Sequence, residues 1–151
     1  MKSHDLLGEL SRQTGVDAAF NATGTARLVF DGRLAVDLES DDEGDRLHVY
    51  SVLTGLPADS DERLRLSEML LTANLFEAGT GAARFAIDEH QGEVVLCLSL
   101  DLKAVDYQRF VAILEDFVDR LDYWLQRLDA IGGNDAVVAA ETPPLGGFIR
   151  A

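Results

Sequence analysis

The 151-residue chain has one cysteine, Cys97, three prolines, one tryptophan, and only 13 lysines and arginines against 27 aspartates and glutamates. Each scarcity excludes something. A single cysteine cannot close an internal disulfide or form a Cys-x-x-Cys metal knuckle, and it fits a reducing compartment. The three histidines, His4, His48 and His90, share no helix face and no ligand spacing, so no zinc site is expected. The shortage of cations leaves a formal charge of −14. Such a field repels nucleic acid and anionic lipid, where positive charge supplies most of the affinity. No apolar run approaches the roughly 20 residues of a membrane helix, and MKSHDLLGELSRQTG carries no apolar signal-peptide core. These absences describe a cytoplasmic protein that binds neither nucleic acid nor membrane. What is present, 47% hydrophobic and 26% charged residues, is a globular composition at a length that suits one domain with its own core.

Hydrophobic spacing orders the chain. Asp5 to Gln13 reads as a short amphipathic helix with Leu6, Leu7 and Leu10 on one side. Gly15, Asn21 and Gly24 break a following loop. Three strand-like runs come next, Ala26–Phe30, Arg33–Glu39 and Arg46–Leu53. The first two are joined by Asp31-Gly32, a strong hairpin signal, and the second pair by the charged turn Ser40–Asp45. After Pro57, Asp59 and Glu62 suggest a capping box for a helix over Ser60 to Phe76. That helix is apolar around most of its circumference, so it needs a second surface to pack on, in this chain or in another subunit. Ala83–Asp88 and Glu93–Leu102 form a second hairpin. From Lys103 to Asp129, apolar residues from Val105 to Leu128 recur at three- and four-residue steps, marking a long amphipathic helix that Gly132-Gly133 ends. The expected class is α+β, in the order helix, three strands, helix, two strands, helix, with a mostly antiparallel sheet packed by helices. One domain over 1–131 and a loose tail over 132–151 are expected.

Little in the sequence argues for an enzyme. Gly79-Thr80-Gly81 follows a helix and precedes a strand, the reverse of a phosphate-binding loop, and no Lys-Ser/Thr pair comes after it. Gly79 sits where a helix C-cap glycine belongs. Cys97 lies among apolar strand residues with no nucleophile motif around it. The acids Asp41 to Asp45 do not match a calcium loop and suit a solvated turn. No catalytic, cofactor-binding or metal residues are assigned.

The stretch LLTANLFEAGTGAARFAIDEHQGEVVLCLSLDLKAVDYQRFVAILEDFVDRLDYWLQRL, from Leu70 to Leu128, resembles the core of the type III secretion chaperones of the CesT (Tir chaperone) family. The shared features are a helix ending Leu70-Leu71-x-Ala73-Asn74-Leu75, a glycine turn and a strand ending Ile87-Asp88. A leucine-alternating strand and a long helix with Phe110, Leu114, Phe117, Val118 and Trp124 follow. The resemblance implies a homodimer, with the second helix at the two-fold interface. It further implies that the dimer binds the extended N-terminal segment of a secreted effector, by apolar grooves and by strand addition at a sheet edge, keeping it soluble and competent for secretion. The secretion-system ATPase is a further implied partner. On this reading Leu6, Leu7, Leu10, Leu28, Phe30, Leu34 and Val36 line the effector groove, and Leu66, Met69, Leu70 and Ala73 form the dimer interface.

Two other classes compete. An acidic adaptor or inhibitor unrelated to secretion would suit the same fold and charge. A ligand-binding or enzymatic domain would show a deep pocket lined by His48, Tyr50 and carboxylates.

Overall fold

The computed structural model describes residues 1–41 and 43–133. The tail expected over 132–151 therefore lies outside the described residues from Asn134 onward. The elements are α1 (Ser3–Thr14), β1 (Thr25–Phe30), β2 (Leu34–Asp41), β3 (Arg46–Gly55), α2 (Ser60–Asn74), β4 (Arg84–Asp88), β5 (Glu93–Asp101) and α3 (Tyr107–Gly133). The strands form one sheet in the order β1-β2-β3-β5-β4, antiparallel at every pairing. The α+β class and the element order expected from hydrophobic spacing are those observed.

Strict alternation decides which face is covered. Ala26, Leu28 and Phe30 of β1, Leu34, Val36 and Leu38 of β2, Leu47 and Val49 of β3, Phe85 of β4, and Val94, Leu96, Leu98 and Leu100 of β5 are all buried on one face. Leu6, Leu7 and Leu10 of α1 and Phe110, Leu114, Phe117, Val118, Leu121 and Trp124 of α3 complete that core. Burying each large side chain stabilises the fold by about 1.5–3 kcal/mol. Among the described residues, no helix covers the opposite sheet face.

Local chemistry sets the ends. At the β1–β2 hairpin, Asp31 and Gly32 both take positive φ (52° and 66°), the backbone a tight hairpin demands. Gly15, at φ 72°, caps α1 by donating its N–H to the Ser11 carbonyl. Asp59 caps α2, its carboxylate accepting from the N–H groups of Asp61 and Glu62. The long helix begins four residues later than its apolar spacing suggests. The segment after β5 first closes a turn on the Asp101 carboxylate, and Asp106 then caps α3 by accepting from the Arg109 N–H at 2.8 Å.

The end of α2 differs from expectation. The helix stops at Asn74, two residues short of Phe76, and Phe76 and Glu77 both adopt left-handed backbone (φ 51° and 61°). Gly79 is not the left-handed cap; those two non-glycine residues and Gly81, at φ 60°, make the reversal. Gly79 is small for a packing reason, because a Cβ there would lie 2.9 Å from the Cβ of Ala73.

Candidate protein-binding surfaces

The seven residues expected to line a groove are all in the core. Leu6, Leu7, Leu10, Leu28, Phe30, Leu34 and Val36 are between 0% and 4% exposed. They belong to one core cluster with residues of α3 and the other strands. Of the four expected at a dimer interface, Leu70 is buried, while Leu66, Met69 and Ala73 are partly buried against the core.

The uncovered side of α2 is the other one. At 3.6 residues per turn, Leu64, Leu71 and Leu75 fall within an arc of about 40°, opposite Leu66, Met69, Leu70 and Ala73. Leu64, Leu71 and Leu75 are 58%, 68% and 59% exposed, and Phe76 beyond them is 92% exposed. The sequence does contain this signal, since these leucines recur at steps of seven and four. A helix with two apolar stripes simply does not announce which one faces inward. Left-handed backbone costs a residue with a Cβ about 1–2 kcal/mol, so Phe76 is held outward at some expense.

The sheet has two edges, β1 and β4. Along an antiparallel strand, alternate residues turn N–H and C=O to the same side. On β1, Thr25 faces the edge and is already satisfied: its carbonyl accepts from the Asn21 N–H at 2.8 Å, and its N–H donates to Asn21 Oδ1 at 3.0 Å. The alternation therefore turns the main-chain groups of Arg27 and Val29 outward, and Val29 is 47% exposed. Arg27 is held by a two-point ion pair to Asp37, with Nε to Oδ1 at 2.7 Å and Nη2 to Oδ2 at 2.8 Å.

The helix-free sheet face carries a shallow groove of about 360 Å³, bordered by His48, Tyr50, Val52, Arg84, Asp88, Glu93, Val95, Cys97 and Ser99. This groove holds the His48, Tyr50 and carboxylates that a reaction site would need, so its chemistry matters. His48 Nδ1 shares a hydrogen bond with Ser99 Oγ at 2.8 Å. Asp88 Oδ1 is occupied by the N–H groups of His90 and Gln91. Burial pushes the Cys97 thiol up, with Arg84 only partly opposing it, and desolvation pushes the Tyr50 phenol up. Both shifts favour the neutral form, away from a nucleophile or base. Among the described residues, no group of three His, Cys, Asp or Glu side chains could hold a metal ion.

The glycine turn is a packing device. Trp124 Nε1 donates to the Gly79 carbonyl at 2.9 Å, and the Trp124 ring stands edge-on to Phe85 with centroids 4.8 Å apart. A Cβ on Gly81 would fall 2.4 Å from Arg120 Nε and 2.6 Å from Asp116 Oδ2. At Gly81 the loop packs closely against the Arg120 and Asp116 side chains of α3.

Comparison with known proteins identifies the family and the fold. The family model described as Tir chaperone protein (CesT) family matches residues 5–125. No curated protein matches. Among solved structures, a chain of the HopA1–SchA chaperone–effector complex is 20% identical with a TM-score of 0.64, covering 81% of this chain and 91% of that one. The Yersinia pestis type III secretion chaperone SycH, in complex with a fragment of YscM2, is 22% identical with a TM-score of 0.59, covering 80% and 98%. A chain of the ExsC–ExsE complex is 22% identical with a TM-score of 0.63, covering 83% and 96%.

Proposed function

This chain belongs to the Tir chaperone protein (CesT) family, and from that membership we propose that it is a type III secretion chaperone, not an enzyme. It works as a homodimer in the bacterial cytoplasm and keeps the N-terminal segment of a secreted effector extended and soluble. The observation that carries the dimer is the outward stripe of Leu64, Leu71, Leu75 and Phe76. Large exposed apolar side chains on one side of a helix, here with Ser67 and Glu68 between Leu64 and Leu71, support an interface reading, and a copy of the same helix across a two-fold axis offers its own complement.

The client is proposed to lie over α1 and the first hairpin. Leu6, Leu7, Leu10, Leu28, Phe30, Leu34 and Val36 form the floor beneath that surface, and the contacts fall to outward groups above it. The open main-chain groups of Arg27 and Val29 suit a client strand added beside β1, and exposed Val29 suits one apolar side chain of that strand. The groove bordered by His48, Tyr50, Arg84 and Cys97 lies on the opposite face of the sheet from α1 and offers a separate apolar and polar lining. Docking to the secretion-system ATPase rests on family membership alone.

A pull-down from the native bacterium tests the client. Wild type should capture a secreted protein through its N-terminal segment. Val29→Pro, which removes one edge donor where proline is tolerated, should fold and capture little. Equal capture by both would contradict strand addition at β1. Capture of a toxic enzyme instead would establish the inhibitor reading.

A further inference from the structure

The Leu70-Leu71-x-Ala73-Asn74-Leu75 segment contains one residue that neither the core nor the outward stripe explains. Asn74 is the last residue of α2, and its side chain reaches β4. Its Nδ2 donates to the Phe85 carbonyl at 3.2 Å, and its Oδ1 accepts from the Phe85 N–H at 2.8 Å. A carboxamide carries one donor and one acceptor side by side, as a peptide group does, and here it takes the place of a neighbouring strand.

The alternation along β4 shows what this closes. Phe85 turns its main-chain groups toward Asn74, so Ile87, two residues on, turns its own the same way. These two residues are the edge-facing positions of a five-residue strand. Asn74 fills the first, and the second is left beside an Ile87 side chain that is 51% exposed. An apolar edge strand with free main-chain groups is a template for pairing with another chain. Among the described residues, with Phe85 plugged, β4 has one edge-facing position without a main-chain partner, Ile87, while β1 has two, Arg27 and Val29.

We infer that Asn74 decides which edge of the sheet can be extended: it seals β4 against pairing with the β4 edge of another copy of this chain, and leaves β1 as the edge for strand addition. What adds at β1 rests on the proposed function. The sealing of β4 does not, and its test involves no client.

The test compares Asn74→Ala with wild type by amide hydrogen exchange and light scattering on the whole chain. Exchange at Phe85 should quicken about tenfold or more while Leu96 in the neighbouring strand stays protected. The mass should rise with concentration beyond the wild-type value. Adding Ile87→Lys, a charge on the exposed edge, should return the mass to that of wild type without restoring slow exchange at Phe85. Wild-type mass for Asn74→Ala at every concentration would overturn the assignment, as would association that Ile87→Lys does not reverse. Loss of protection throughout the core would also overturn it, making Asn74 a residue of general stability.

Discussion

Trp124 donates its indole N–H to the carbonyl of Gly79 at 2.9 Å, so the long helix is tied to the turn that carries the chain from α2 to β4. The bond is buried and joins residues 45 apart in sequence. Trp124→Phe keeps most of the ring packing on Phe85 but leaves the Gly79 carbonyl without its partner. An unsatisfied buried polar group costs about 1–3 kcal/mol. Urea unfolding should show a loss in that range, with an unchanged dependence on denaturant concentration.

Two glycines with similar backbone should respond differently to alanine. Gly81 and Gly32 both have positive φ, 60° and 66°. At Gly81 the new methyl would strike Arg120 and Asp116, whereas at Gly32 it meets nothing within 4 Å. Gly32→Ala should cost about 1 kcal/mol from the left-handed backbone alone. Gly81→Ala should cost more, about 2–3 kcal/mol, because the Arg120 and Asp116 side chains must shift in addition to the same strain. Thermal unfolding of the pair separates the two contributions.

Cys97 should be a slow nucleophile. Burial raises its pKa, and the charge of Arg84 opposes that only in part. Alkylation by iodoacetamide near pH 8 should run slower in the folded protein than in urea. Arg84→Gln should slow it further by removing the one opposing influence. Faster alkylation in Arg84→Gln would contradict this account of the groove.

Asp45 gives the chain a modest acid sensitivity. Its carboxyl is held below the usual range chiefly by the hydrogen bond from Lys103, Nζ to Oδ2 at 2.7 Å, with Lys2 also near. A lowered folded pKa means the stabilisation is present above the ordinary carboxylate value and is lost as pH falls through the folded value. The Tm difference between wild type and Lys103→Ala should therefore be open at neutral pH and close below about pH 4.

How much of this was legible depends on which physical signal each part leaves in the sequence. The hairpin at Asp31-Gly32 and the cap at Asp59 were legible because their chemistry is local. The sheet's inner face was legible because alternation has only two sides to choose from. The start of α3 was misplaced because Lys103 to Asp106 continue the apolar spacing, while the Asp101 turn and the Asp106 cap interrupt the helix. The end of α2 is not legible because a left-handed Phe76 and Glu77 have no local signature in the sequence. The apolar circumference of α2 is legible in the sequence, and in the structure one side packs on the core while Leu64 and Leu71 on the other are exposed. Periodicity cannot say which stripe carries an interface; in the structure Leu70 is buried, and Leu66, Met69 and Ala73 are partly buried against the core. The candidate groove residues Leu28, Phe30, Leu34 and Val36 show the same limit. Apolar alternation identifies a buried face, and which main-chain groups face a sheet edge, such as those of Arg27 and Val29 on β1, leaves no mark in side-chain pattern.

The most direct test is the mass of the protein in solution by light scattering, on wild type, Leu71→Glu and Met69→Glu. The account predicts a wild-type mass of twice the 16.5 kDa chain and a folded monomer for Leu71→Glu, whose charge falls in the two-fold seam at a cost of several kcal/mol. For Met69→Glu it predicts a protein destabilised in its own core. A wild-type monomer at micromolar concentration, or a Leu71→Glu dimer as tight as wild type, would contradict the claim that the outward stripe of α2 joins two copies of this chain.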